Sequence, residues 1–408
     1  MSDSDQVIRD VLREQRGSLL ARLIRVLGSF ELAEDALQEA LTAALTQWPA
    51  AGVPDNPRAW LLAAARHKGI DEIRRRELRG EKHVQMALTA PASSGAEDEP
   101  SIRDDMLRLM FTCCHPALAV PAQVALTLNT IAGLSVEEIA RAFLVPVPTL
   151  AQRLVRAKRK IAVAGIPYSV PGPDDLSPRT EGILRVIYLT FNEGYTATRG
   201  SDLIRGELCD HALRLAHELM ALLPGDGNVA GLLALMLLQD SRRSARTDEQ
   251  GELVLLEHQD RSLWDVERIA EGRRLTRIAL ELTPRGSYAL QAAIAALHAE
   301  ANRAEDTDWP QIVALYTLLL AVESSAVVAL NRAVALAMAQ GAEAGLAAMV
   351  GLDGALKDYH LYHAAKADLL RRANRLDDAR RTFERALELC DNEAEQRLLA
   401  RKLALVSH

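Results

Sequence analysis

Four cysteines in 408 residues, none in a CxxC or similar spacing, supply neither a disulfide scaffold nor a zinc finger. A reducing, cytoplasmic setting is therefore expected. Aromatic side chains are also scarce, with Trp 4, Tyr 7 and Phe 5 in a chain that is 49% apolar. The apolar share is aliphatic, mostly Leu and Ala, residues that favour helix interiors. Long hydrophobic runs are missing. The best of them, Val229–Leu238 and Ile312–Val322, fall short of the ~20 residues of a membrane span. The N-terminal MSDSDQVIRDVLREQ is charged throughout, unlike an export signal. Neither a membrane nor a secreted protein is expected. There is no Walker loop, no GxSxG and no HExxH, so no enzyme activity and no cofactor are expected.

Net charge is −7, which taken as an average argues against a nucleic-acid partner. Its distribution argues for one. Residues 103–165 carry 8 Lys+Arg against 4 Asp+Glu, a net of +4, while residues 1–102 carry 13 against 16. The remaining residues carry 27 against 35, a net of −8. Six basic residues and no acidic one lie between Ile139 and Pro173, and a second cluster from Arg66 to Lys82 holds seven basic and four acidic residues. Phosphate backbones require footprints of this kind.

Two segments without helical periodicity divide the chain. Met86–Pro100 mixes Pro, Ser, Gly and acids and reads as a flexible linker, taken as 86–102. The second, 166–178, holds four prolines and reads as extended, semi-rigid backbone. The blocks 1–85, 103–165 and 179–408 all read as helical, so the fold class is all-α. In the first block, Glu31–Trp48 carries the apolar stripe of an amphipathic helix. Pro49, Gly52, Pro54 and Pro57 then predict a loop, with Asn56 capping a helix over Arg58–Arg79. That helix is expected to turn Trp60, Leu61, Ala64, Ile70 and Ile73 inward.

The sharpest constellation is SVEEIARAFLVPVPTLAQRLVRAKRK, Ser135–Lys160. Ser135 followed by Glu138 predicts a capping box, and Pro148 suits the start of a second helix after a tight turn. Leu150, Leu154, Ala157 and Ile161 then form one face of that helix, and Thr149, Gln152, Arg153, Arg156 and Lys160 the other. A short helix, a turn, and a second helix displaying hydroxyl, amide and guanidinium groups match a reading head for the major groove. Thr149, Gln152 and Arg153 are the candidate base readers. Arg156, Lys158, Arg159 and Lys160 are candidates for phosphate neutralisation. The plain alternative is a helical hairpin with a solvated basic face.

In the third block Gly341 and Asn374 lie 33 residues apart, each between two helical patterns. Val334, Ala337, Leu346 and Val350 correspond at that offset to Ala367, Leu370, Ala379 and Phe383. A repeat of this length marks tetratricopeptide-like arrays, and Tyr362–Leu389 is its clearest hairpin. Cys113-Cys114-His115 reads as core and not as a metal site, because neighbouring residues diverge by about 100° around a helix. His360 and His363 read as helix-surface or repeat-packing residues, Gly225–Gly231 as a turn between hairpins, and Gly194 in Phe191–Tyr195 as a helix end.

Blocks one and two resemble a sigma factor of the sigma-70 superfamily, in its extracytoplasmic-function (ECF) form. Glu34-Asp35-Ala36-Leu37-Gln38-Glu39 resembles the segment that grips the clamp coiled coil of RNA polymerase, which implies core-polymerase binding by Glu34, Asp35, Leu37, Gln38 and Glu39. Arg58-Ala59-Trp60-Leu61 through Arg74-Arg75-Arg76 resembles the segment that reads and opens the −10 element. That implies −10 contacts from Arg66, His67, Lys68, Asp71, Arg74, Arg75 and Arg76. Val145–Ala157 resembles the −35 helix, implying −35 contacts from Thr149, Gln152, Arg153, Arg156, Arg159 and Lys160. Pro148 stands where that family has Gly, and His67 where it has Asn, so the sequence preferences are open. The few aromatics of block one, Phe30, Trp48 and Trp60, imply limited promoter melting. FTCCHPAL, FNEGY and KDYHLYHAAKADLLRR resemble the ECF subgroup with a C-terminal tetratricopeptide-like extension. The resemblance implies region 2 over 1–85, region 4 over 103–165 and a regulatory extension over 179–408. It further implies promoter DNA and core polymerase as partners, and a protein or peptide partner on the repeats. A rival reading is a helical-repeat DNA-binding activator that does not join the polymerase, and a third is an adaptor with no DNA role.

Overall fold

The computed structural model describes residues 3–78, 102–143, 145–196 and 204–406. Its described residues form helices joined by turns, and their one β pairing is an isolated bridge between Thr247 and Leu253. The chain divides into two compact units, 1–189 and 190–408. No helix among the described residues is long and apolar enough to cross a membrane.

The first unit opens with α1 (Asp3–Leu27), α2 (Phe30–Ala51) and α3 (Pro57–Leu78). Ser29 starts α2 by accepting from the Leu32 amide at 3.3 Å, and Phe30, Leu32, Ala33, Ala36, Leu37, Ala40, Leu41 and Ala44 are buried along one face. The helix runs three residues past the expected Trp48 end. Pro49 sits in its last turn, where it forgoes only the bond to Leu45, a half-exposed residue whose carbonyl water can reach. Gly52 then ends the helix at φ 86°. Asn56 caps α3 as expected, accepting from the Ala59 amide at 3.0 Å. The buried face of α3 is narrower than its sequence pattern implied. Leu61, Ala65 and Gly69 are buried, whereas Trp60, Ala64, Ile70 and Ile73 are half-covered.

Four helices follow: α4 (Ile102–Cys113), α5 (Val120–Thr130), α6 (Val136–Ala142) and α7 (Val147–Val163). The expected linker over 86–102 lies outside the described residues apart from the first residue of α4. The proline-rich stretch 166–178 departs from an extended linker at both ends. Ile166 and Tyr168 are buried, and helix α8 (Pro173–Tyr195) begins within the stretch and carries Pro178 in its second turn. One forgone hydrogen bond at an exposed proline is offset by the buried face of Ile183, Leu184, Val186 and Ile187. Helix α8 ends one residue after Gly194. A Cβ there would fall 2.7 Å from the Cys209 amide nitrogen, so glycine permits a close helix crossing.

The second unit is a succession of antiparallel hairpins. Helices α9 (Gly206–Leu222) and α10 (Gly227–Asp240) precede a looped segment with three short 3-10 turns, and α11 (Val266–Leu282), α12 (Ser287–Glu300), α13 (Trp309–Val322) and α14 (Ala326–Gln340) follow. The array closes with α15 (Ala342–Ala348), α16 (Asp353–Leu356), α17 (His360–Arg372), α18 (Leu376–Leu389) and α19 (Glu393–Ala404). A turn does separate α9 from α10, but it is shorter than the expected Gly225–Gly231: Asp226 caps α10, which begins at Gly227 and contains Gly231. Gly341 and Asn374 are both left-handed, with φ of 99° and 59°, and each turns the chain between two helices. Their 33-residue spacing therefore has a backbone counterpart. The correspondence fades beyond the turn. Phe383 is fully buried, but Val350 is 81% exposed, because α15 stops at Ala348.

Candidate nucleic-acid interface

The α6–α7 pair is built as its sequence suggests. Ser135 Oγ accepts from the Glu138 amide at 3.1 Å, and the Ser135 amide donates to Glu138 Oε2 at 2.7 Å. This reciprocal cap satisfies two amides at the start of α6. Pro148 occupies the second position of α7, where its missing N–H costs no helical bond. Leu150, Leu154, Ala157 and Ile161 are buried on one side of α7. Thr149, Gln152, Arg156, Arg159 and Lys160 are exposed on the other, and Arg153 is half-exposed. Arg156 donates to Gln152 Oε1 at 3.2 Å, which joins an amide and a guanidinium into one hydrogen-bonding edge. Lys160 donates to the Ala117 carbonyl. Lys158, which its sequence grouped with the phosphate contacts, is turned away from that edge and donates to both carboxylate oxygens of Glu34, at 2.7 and 2.6 Å.

Helix α3 presents Arg66, His67, Lys68, Asp71, Arg74 and Arg75 to solvent, with Arg76 half-buried. Several of its cations already have partners: Lys68 lies 3.5 Å from Glu39, Arg75 3.3 Å from Glu72, and Arg76 3.0 Å from Glu72. The more exposed of these pairs, Lys68–Glu39, exchanges readily with other anions, since such a pair is worth little in water. Phe30 and Trp48 are buried, and Trp60 packs edge-on against Trp48 with ring centroids 5.4 Å apart. None of the three is an open stacking platform.

The acidic face of α2 is also laid out. Asp35, Gln38 and Glu39 are exposed and Glu34 is half-buried against Lys158. Local burial and the nearby Glu31 hold the Asp35 carboxyl above its usual range, against the pull of Arg76. Leu37 belongs to the α2 core at 2% exposure, so it supports this face from within.

Two groups that the sequence did not single out hold the first unit together. Asp105 of α4 is fully buried and meets Arg22 at 3.2 Å, Arg25 at 3.0 Å and Arg108 at 3.4 Å. The buried Tyr168 hydroxyl lies 2.7 Å from the Ala21 carbonyl and 3.1 Å from that of Asp105. A carboxylate beside Met106 and Leu107 and a tyrosine among prolines were the available signals. Cys113 and Cys114 are core residues, with the Cys114 thiol 3.5 Å from Thr127 Oγ1. Burial pushes the Cys114 thiol up to about 12 despite that bond.

Two helical modules, one with an acid face beside a basic helix and one with a helix-turn-helix, have the outline of a DNA-binding transcription protein. Comparison with known proteins agrees. The description of sigma-70 region 2 matches residues 12–79, and that of sigma-70 region 4 matches 108–161. Residues 179–280 match a family of unknown function, DUF6596. An uncharacterized protein of Rhizobium meliloti (strain 1021) is 42% identical over 385 residues, 93% of this chain and 91% of that one. The probable ECF RNA polymerase sigma factor SigI of Mycobacterium tuberculosis is 28% identical over 162 residues, 39% of this chain and 55% of SigI. The chain belongs to the sigma-70 family of sigma factors and carries a helical C-terminal extension.

Proposed function

We propose that this protein is an ECF-type sigma factor that joins core RNA polymerase through the exposed α2 face and reads two promoter elements with separate helices. Glu34, Asp35, Gln38 and Glu39 contact the polymerase, with Leu37 buttressing them. Arg66, His67, Lys68, Asp71, Arg74, Arg75 and Arg76 engage the −10 region, and Thr149, Gln152, Arg153, Arg156, Arg159 and Lys160 the −35 region. The observation that carries this reading is α7: four apolar residues buried on one side, and an acid-free row of donors exposed on the other.

The ion pair of Lys158 with Glu34 and the Asp105–arginine cluster join the two DNA-reading modules in the first unit. Promoter elements lie tens of base pairs apart and DNA rises about 3.4 Å per base pair, so simultaneous engagement requires these contacts to open. The arrangement supports a resting state that polymerase and promoter dismantle. We assign control of activity to the C-terminal extension, a tetratricopeptide-like array whose net charge of −6 over residues 179–408 (27 Lys+Arg against 33 Asp+Glu) suits a basic partner, protein or peptide.

Run-off transcription with core polymerase tests the whole reading. The full chain should direct specific starts on a cognate promoter, and a chain ending at Leu189 should bind core polymerase but initiate at an altered level. Equal initiation by both chains overturns the regulatory role. Failure to co-purify with core polymerase would favour the rival activator.

A further inference from the structure

His360, Cys390 and Glu395 are brought together by the last three long helices of the chain. His360 opens α17, Cys390 caps the C-terminus of α18, and Glu395 lies in the first turn of α19. One ligand atom from each lies within 4.8 Å of the other two. His360 Nε2 is 3.0 Å from Glu395 Oε2, and the Cys390 sulfur is 3.8 Å from the same oxygen. Donors around a tetrahedral zinc with bonds of about 2.0–2.3 Å stand roughly 3.3–3.8 Å apart. The three side chains thus stand close to the spacing that zinc would impose.

The surroundings fix these positions. Asn392, buried at 1% exposure, accepts from the amides of Ala394 and Glu395 at 3.0 and 3.2 Å and sets the start of α19. The Cys390 thiol also meets the Asn392 carbonyl at 3.6 Å, and Gln396 donates to the Cys390 carbonyl. His360 and Glu395 both border a cavity of about 280 Å³ whose other walls include Leu253, Leu255, Val334 and Leu399. Cys390 does not border it and is buried at 3% exposure. One imidazole, one thiolate and one carboxylate, with a free side toward a cavity, is the donor set of a three-ligand zinc site with an open fourth position.

We propose that His360, Cys390 and Glu395 bind one zinc ion at the end of the helical array, with its fourth position facing the cavity. Binding forms a Zn–S bond and releases the thiol proton to solvent. The imidazole coordinates as the neutral base, and the carboxylate supplies the oxygen it now offers to both neighbours. The fourth position takes water or a small anionic or thiol ligand from the cavity. The inference is independent of promoter recognition.

Cobalt(II) is the probe, because a cobalt–thiolate bond gives a near-ultraviolet charge-transfer band. The full-length protein should take up one Co²⁺ with that band, and one Zn²⁺ should displace it. Cys390→Ser should abolish the band, and Glu395→Gln should weaken zinc binding at least about tenfold, the lower end of what loss of even an outer-shell partner costs. His363→Gln is the control, since that half-buried neighbour bonds the Lys357 carbonyl and lies outside the cluster. It should bind metal like the parent. If Cys390→Ser does not fold, the isosteric Glu395→Gln carries the test. A parent protein without the band, a band that survives Cys390→Ser, or zinc affinity unchanged in Glu395→Gln each overturns the site.

Discussion

Lys158 Nζ and Glu34 Oε2 lie 2.6 Å apart, with each side chain about one-fifth exposed. The lysine comes from α7, the helix proposed to read the −35 element, and the glutamate from the α2 face proposed to contact the polymerase. In the closed first unit, neither group is free for an external partner. Lys158→Ala should leave Glu34 unpaired at that face and raise affinity for core polymerase severalfold. It should also lower the unfolding free energy by about 1 kcal/mol, the scale of a partly exposed pair. Binding kinetics on immobilised core polymerase and a urea titration read the two effects. Lower polymerase affinity in the variant would count against a resting-state role for the contact.

Charge reversal on α7 tests DNA reading directly. Arg153→Glu together with Arg156→Glu should weaken duplex binding by at least tenfold. The salt dependence should also fall, by about 0.9 in the slope of log K against log salt for each phosphate that is no longer neutralised. Fluorescence anisotropy across a salt series measures both. Affinity that does not change would mean that α7 is a solvated helix.

Asp105→Asn removes a charge that opposes Arg22, Arg25 and Arg108 together at a fully buried site. Taking the counter-ion from a buried ionic cluster costs about 3–5 kcal/mol. Denaturant unfolding should show a loss of that order, and limited proteolysis should show the region 2 and region 4 modules cut apart more readily.

Gly231→Ala sets two effects against each other. Alanine gains about 1 kcal/mol in helix propensity. Its Cβ would, however, lie 2.7 Å from the Ala289 amide nitrogen, a backbone atom that cannot rotate away. Overpacking of about 1–3 kcal/mol should prevail, so thermal melting should report net destabilisation.

Acid should weaken the second unit through His298. Burial, then the charges of Arg242 and Arg261, lower its pKa from 6.5 to about 4. The unfolded chain therefore binds a proton before the folded one does. Its stabilising contribution is complete above pH 6.5 and is lost as pH falls toward 4, by up to about 3 kcal/mol. His298→Gln should flatten the stability profile across that window in a pH series of melts.

The elements that sequence made legible are those fixed by neighbours within one or two turns. Ser135 and Glu138 cap each other three residues apart, Asn56 caps α3, and α7 divides into two faces on its own period. What sequence did not reveal depends on contacts across the fold. Leu37 lies within the segment proposed to bind polymerase yet is core, because α2 turns that residue toward its neighbours. His360 meets its carboxylate 35 residues further along the chain, a distance that no local ligand spacing encodes. Lys158 is spaced like a phosphate contact and spends its charge on Glu34. Periodicity identifies a face, and the partner across the fold decides how that face is used.

Helix α10 is buried from Val229 through Leu238 on every side. Its amide protons can therefore meet solvent only when the surrounding hairpins separate together. These amides should be the slowest in the extension to exchange with deuterium, at a rate that reports the unit's global opening.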